Sequence, residues 1–179
     1  FSALGINYQD GIIRLDLLER KQKYNNGFCH MPIPVHYEDG MCIPGEVNFT
    51  CNAIINQIGS GYNAGVTLFH EWGHAAHFLN MDQQDICLNT EYPPMGASWA
   101  ETQSMFLDTL FSSIEWKTRY AKSLEWESYP FSLHEEKLKK TFLLEPMGML
   151  RMASVIDFEK QVYAAKNLDV QTVEQIAQN

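Results

Sequence analysis

The spacing of apolar residues along this chain changes character near residue 65. Before that point the chain offers short β-rich segments. Gly11-Ile12-Ile13-Arg14-Leu15-Asp16-Leu17 partly alternates, Gly27-Phe28-Cys29-His30-Met31-Pro32 follows an Asn25-Asn26-Gly27 turn signal, and Glu46-Val47-Asn48-Phe49-Thr50-Cys51 follows Pro44-Gly45. These predict strands of a small antiparallel sheet. From Gly65 onward the period is helical. It predicts a helix over about 64–79, a loop rich in Asp, Asn, Pro and Gly through Gly96, and a helix over about 99–120. Two more follow, over about 146–165 and 169–178, the last with Asp169 as its N-cap. The expectation is an α+β fold, predominantly helical, with a β-rich part (1–60) and a helical part (61–179) in a single domain.

Composition changes this picture little. The chain has 179 residues, 45% hydrophobic and 20% charged, which suffices for one core without disulfides. No apolar run approaches the length needed to cross a bilayer. A formal charge of -9 argues against nucleic acid as a partner, because its phosphates would be repelled. The four cysteines (Cys29, Cys42, Cys51, Cys87) form no C-x-x-C pair, and no signal peptide is recognisable. They read as reduced thiols in a cytoplasmic protein, with a Cys42–Cys51 bridge as the alternative. The chain opens on Phe1 and stops inside a helical pattern, so a piece of a longer polypeptide is expected.

The chemistry is concentrated in Thr67-Leu68-Phe69-His70-Glu71-Trp72-Gly73-His74-Ala75-Ala76-His77. His70-Glu71-x-x-His74 matches the H-E-x-x-H zinc pattern. On a helix the two histidines lie about 40° apart on one face and roughly 6 Å along the axis, so both rings can converge on one ion. Glu71 is turned about 100° from His70, too far to ligate comfortably but placed to reach a zinc-bound water as general base. His77 projects onto the same face, yet stands about 10 Å along the axis from His70. It is expected to hydrogen-bond or pack near the site rather than ligate. The longer pattern, with a Gly and then a third His each three residues further on, is not met, because His77 and Asn80 hold those positions. A carboxylate from elsewhere should therefore complete a His₂Glu-type site.

Downstream acids within reach are Asp82, Asp85, Glu91, Glu101 and Asp108. The first three lie in or beside the loop. Glu101 opens a helix that could return antiparallel to the motif helix. Ser98-x-x-Glu101 is also a capping-box pattern, in which Glu101 would bond the Ser98 amide instead. Spacing alone leaves both readings open. Asp108 is seven residues further, near the same face, and could orient a ligand histidine through its second ring nitrogen.

The 67–77 segment resembles the active-site helix of the thimet oligopeptidase and oligoendopeptidase F family, including its extra histidine. Ser98-Trp99-Ala100-Glu101-Thr102-Gln103-Ser104-Met105 is similar to that family's second metal-binding helix, and the stretch from Asp16 to Met31 resembles the strand preceding the site. A weaker likeness extends to Asp157-Phe158-Glu159. The resemblance implies a gluzincin-like zinc metalloendopeptidase acting on short peptides, with one Zn²⁺ held by His70, His74 and Glu101. Asp108 would stand where the family has a supporting glutamate. It also implies that an extended peptide adds to a strand, expected here at Val47, Asn48, Phe49 and Thr50. Two departures matter. Asn63-Ala64-Gly65 stands where the family often has an acid, and no block matches the family's later Tyr and His residues; Tyr129, His134 and Tyr163 are assigned no role. The remainder of the polypeptide is therefore expected to be required for activity. The alternatives are a non-catalytic zinc-stabilised binding domain, if the chain is complete, and zinc hydrolysis of a non-peptide bond.

Overall fold

The structure is a computed structural model that describes residues 1–90 and 96–178. It is 51% helix and 17% strand, an α+β arrangement in which helix predominates. The chain divides into two compact units, Phe1–Tyr120 and Ala121–Asn179.

Among the described residues the first unit carries five strands: β1 (Ile12–Leu18), β2 (Phe28–Ile33), β3 (His36–Glu38), β4 (Met41–Ile43) and β5 (Glu46–Ala53). The main sheet has the order β1-β5-β2. It is mixed rather than antiparallel, because β5 runs parallel to β1, with Leu15 opposite Phe49, and antiparallel to β2, with Cys29 opposite Phe49. The β3–β4 hairpin turns through Asp39 and Gly40, both at positive φ, as a tight two-residue turn of this kind requires. The alternation along β5 fixes its faces. Val47, Phe49 and Cys51 are buried on one side, while Asn48, Thr50 and Asn52 occupy the other.

Helix α1 (Ser60–Leu79) covers the buried face of β5, where Val47, Ala75, Phe78 and Leu79 form the core. It starts four residues earlier than the apolar period suggests, because Ser60 Oγ accepts a hydrogen bond from the Ile54 amide and ties the helix start to the end of β5. Trp72 packs edge-on against Phe49, with centroids 5.4 Å apart, and donates its indole N–H to the Tyr8 hydroxyl. Helix α2 (Ala97–Ser112) packs along α1. The two come close at Gly73, where a Cβ would fall 2.5 Å from the Ser104 Cα. The expected single helix over 99–120 is broken at Ser113, whose hydroxyl accepts from the Trp116 amide and starts α3 (Ile114–Tyr120).

The second unit contains the isolated bridge between Lys122 and Ser128, then α4 (Phe131–Thr141), α5 (Leu144–Ala164) and α6 (Val170–Ala177), with α5 packed on α6. Asp169 is the N-cap of α6, accepting from the Thr172 amide at 2.7 Å. That bond holds its carboxyl below the usual carboxylate range. Among the described residues no helix is long and apolar enough to cross a membrane, and all four cysteines are free.

Candidate metal centre

Two helices supply the site. His70 and His74 lie one turn apart on α1, and Glu101 sits in the second turn of α2, brought alongside by the Gly73 contact. The His70 and His74 Nε2 atoms are 3.2 Å apart, and Glu101 Oε2 is 3.3 Å from the first and 3.4 Å from the second. Among the described residues these three form the cluster of donors able to hold one ion, all within 4.8 Å of one another.

The donors fit the metal that the sequence pattern implies. Tetrahedral zinc with bonds of about 2.0–2.1 Å needs ligand atoms about 3.3–3.4 Å apart, close to the three separations found here. The tautomer fits as well. His70 Nδ1 lies 3.0 Å from Asp108 Oδ2, and an ionised carboxylate can only accept, so the proton sits on Nδ1 and the Nε2 lone pair faces the other donors. Two imidazole nitrogens and a carboxylate oxygen, converging on one point, suit a borderline divalent ion.

Glu101 does not act as a helix cap. The N-cap of α2 is Gly96, Ser98 lies inside the first turn, and the Glu101 carboxylate turns to the histidines while accepting from the Ser104 hydroxyl at 2.9 Å. The rival loop acids are engaged elsewhere or out of view. Asp85 caps the 3₁₀ turn Ile86–Leu88 through the Cys87 amide, Asp82 lies near Tyr37, and Glu91 falls outside the described residues.

Glu71 is buried, and lines the same pocket as the three donors without belonging to their cluster. The pocket has a volume of about 460 Å³, and it is also lined by Asn26 and Gly27 and by Phe28 and Cys29 at the start of β2. On the buried face of β5 burial pushes the Cys51 thiol up; Lys23 opposes that shift and the charges of Asp16 and Glu71 add to it. His77 faces a different cavity, of about 440 Å³, shared with Asn7, Asn80, Trp99 and Gln103.

The expected peptide-binding strand needs correction. Val47 and Phe49 are fully buried, and Asn48, Phe49 and Thr50 are paired to β1 on one side and β2 on the other, while Val47 pairs with Ile13 of β1 at a register shift in β2. A central strand cannot accept another strand. In the order β1-β5-β2 the outer edge of β2, whose first residues line the pocket, pairs with no further strand among the described residues. The sequence offers no direct signal for which of three short strands is central, since that depends on pairing between segments distant along the chain.

Two anchoring residues escaped sequence reading. Lys23, with a side chain only 4% exposed, donates to the carbonyls of Asp16, Leu18 and Cys51 and clasps the ends of β1 and β5. Asn89 is buried, donating to the Val35 and Gln83 carbonyls and accepting from the Gln83 amide.

A His-His-Glu donor set carried on paired helices beside a small sheet, with a further carboxylate one residue past the first histidine, is the constellation of a metallopeptidase. The chain belongs to peptidase family M3, whose sequence profile matches residues 7–179. Peptidases of this family are zinc enzymes, and the chain is accordingly a peptide-bond hydrolase of the metallopeptidase class. No curated protein gave a significant match.

Proposed function

We propose that this protein is a zinc-dependent endopeptidase that hydrolyses peptide bonds in short oligopeptides, with His70, His74 and Glu101 holding zinc and Glu71 acting as general base. The observation that supports this reading is the convergence of three donor atoms at 3.2–3.4 Å on a pocket that Glu71 also lines. Zinc bound there supplies Lewis acidity toward the scissile carbonyl and toward water. The chain's own residues do the rest. Glu71 takes the proton of the attacking water and passes it to the departing amine. Asp108 holds the His70 ring in the ligating tautomer. The open edge of β2 receives the peptide backbone as an added strand, which would bring the scissile bond past Glu71. Donors for the oxyanion beyond the metal are assigned to the remainder of the polypeptide.

Glu71→Gln in the complete polypeptide tests the assignment. One zinc per chain should remain, while peptide cleavage falls by at least about 10²-fold, the lower range for loss of a general base. Activity at the parental level would remove Glu71 from that role. A zinc-loaded parent that cleaves no peptide of a mixed library, and that chelation merely destabilises, would replace the enzyme reading with a zinc-stabilised binding domain.

A further inference from the structure

Gly27, the residue immediately before β2, approaches α1 more closely than any side chain would permit. A Cβ built on Gly27 would lie 2.1 Å from the Thr67 Cγ2 methyl, 2.9 Å from the Thr50 carbonyl oxygen and 3.5 Å from Glu71 Oε1. The backbone at Gly27 does not adopt positive φ, so turn geometry does not require glycine here. The close approach does. Carbon atoms normally meet at about 3.5–4.0 Å, so a methyl at position 27 would have to retreat by roughly 1.4 Å or more from Thr67. The opposite wall is the carbonyl of the central strand, which leaves little room to share the shift. Thr67 cannot easily turn its methyl away, because its hydroxyl donates to the Asn63 carbonyl one turn earlier. Thr67 also stands one helical turn before Glu71, on the same face of α1.

We propose that Gly27 is a positioning residue, whose missing side chain lets the β2 edge press against the Thr67–Glu71 face and so sets the distance between a peptide on that edge and the base. This rests on the assignment of Glu71 given above. Gly27 touches no reacting atom itself; it fixes where two other groups stand. Displacement of about 1 Å between reacting groups costs on the order of 10²-fold in rate.

The test compares Gly27→Ala with two double variants in the complete, zinc-loaded polypeptide. Gly27→Ala should keep one zinc per chain while kcat falls by about 10²-fold with a smaller change in KM. Adding Thr67→Ser, which removes Cγ2 and keeps the hydroxyl, should restore at least about tenfold of the loss and raise the melting midpoint back toward the parent's. Adding Thr67→Val, which keeps the methyl, should restore neither. Parental kcat in Gly27→Ala, or a loss that Thr67→Ser relieves no better than Thr67→Val, would overturn the proposal. If Gly27→Ala alone does not fold, the Thr67→Ser double must fold, bind zinc and cleave, and its failure counts equally against the idea. Glu71→Gln measured alongside separates the two claims. An active Glu71→Gln refutes the base, whereas an inactive one beside an unimpaired Gly27→Ala refutes the role of Gly27 alone.

Discussion

Asp108 offers a quantitative check on the proposed metal centre, because it would act on zinc affinity through a single hydrogen bond to His70. Its Oδ2 accepts from His70 Nδ1 at 3.0 Å, while its Oδ1 is buried without a hydrogen-bond partner among the described residues. Asp108→Ala removes a charge-assisted bond of about 1.5–3 kcal/mol, which at about 1.4 kcal/mol per decade is roughly 10- to 150-fold. The side chains of His70 and Asp108 are 28% and 32% exposed, so water replaces part of the lost interaction and the lower end applies. Zinc affinity should fall about 10- to 30-fold, within the range usual for such outer partners. Asp108→Asn keeps an acceptor toward His70 but loses the charge, and places an amide donor where Oδ1 has no partner. It should weaken binding by roughly 5- to 10-fold. Competition against a chromophoric chelator at fixed pH and ionic strength measures both, with the metal-free melting midpoint as a control for folding. An affinity for Asp108→Ala within about twofold of the parent would show that Asp108 does not hold His70 in the ligating orientation.

Three further outcomes are expected. Glu101→Ala should weaken zinc by more than the roughly 100-fold typical of an outer partner, since a ligand itself is lost; unchanged occupancy in chelator competition would contradict the site. Gly73→Ala should lower the urea midpoint: alanine favours a helix by about 1 kcal/mol, but its methyl would meet the α2 backbone at 2.5 Å, and overpacking against groups that cannot swing away leaves a net loss of about 1–2 kcal/mol. A raised midpoint would contradict the close contact. Asn89→Ala strands the carbonyls of Val35 and Gln83 and the Gln83 amide, and should cost about 2–4 kcal/mol. Faster limited proteolysis within residues 82–90 is the readout, and parental resistance would count against the anchor.

The pattern of residues conveyed the helical body and the pair His70 and His74 because both are local. Residues one turn apart share a face wherever a helix forms. Glu101 was legible only as one of two readings, since Ser98-x-x-Glu101 satisfies a capping box as well as a ligand spacing. The structure removes the capping reading by starting α2 at Ala97, which puts Ser98 inside the helix. The break at Ser113 carried a signal, an N-capping residue within an apolar run, which the continuing apolar period of 99–120 outweighs. Asn89 and Lys23 carried none, because the carbonyls that they satisfy lie up to 54 residues away for Asn89 and 28 for Lys23. The central place of β5 is of the same kind. Its alternation revealed one buried face, but not which neighbours would pair its two sides.

The contact at Gly73 joins two helices whose proposed ligands are far apart in sequence: His74 and Glu101 are separated by 27 positions, 101 minus 74. An ion gripped by both closes that span as a crosslink does, so its binding energy enters the unfolding equilibrium directly. At a free concentration a thousandfold above its dissociation constant it would add about 4.1 kcal/mol to stability. Metal occupancy and thermal midpoint thus become one thermodynamic variable, and a pair of melting curves with and without chelator reports the affinity of the site.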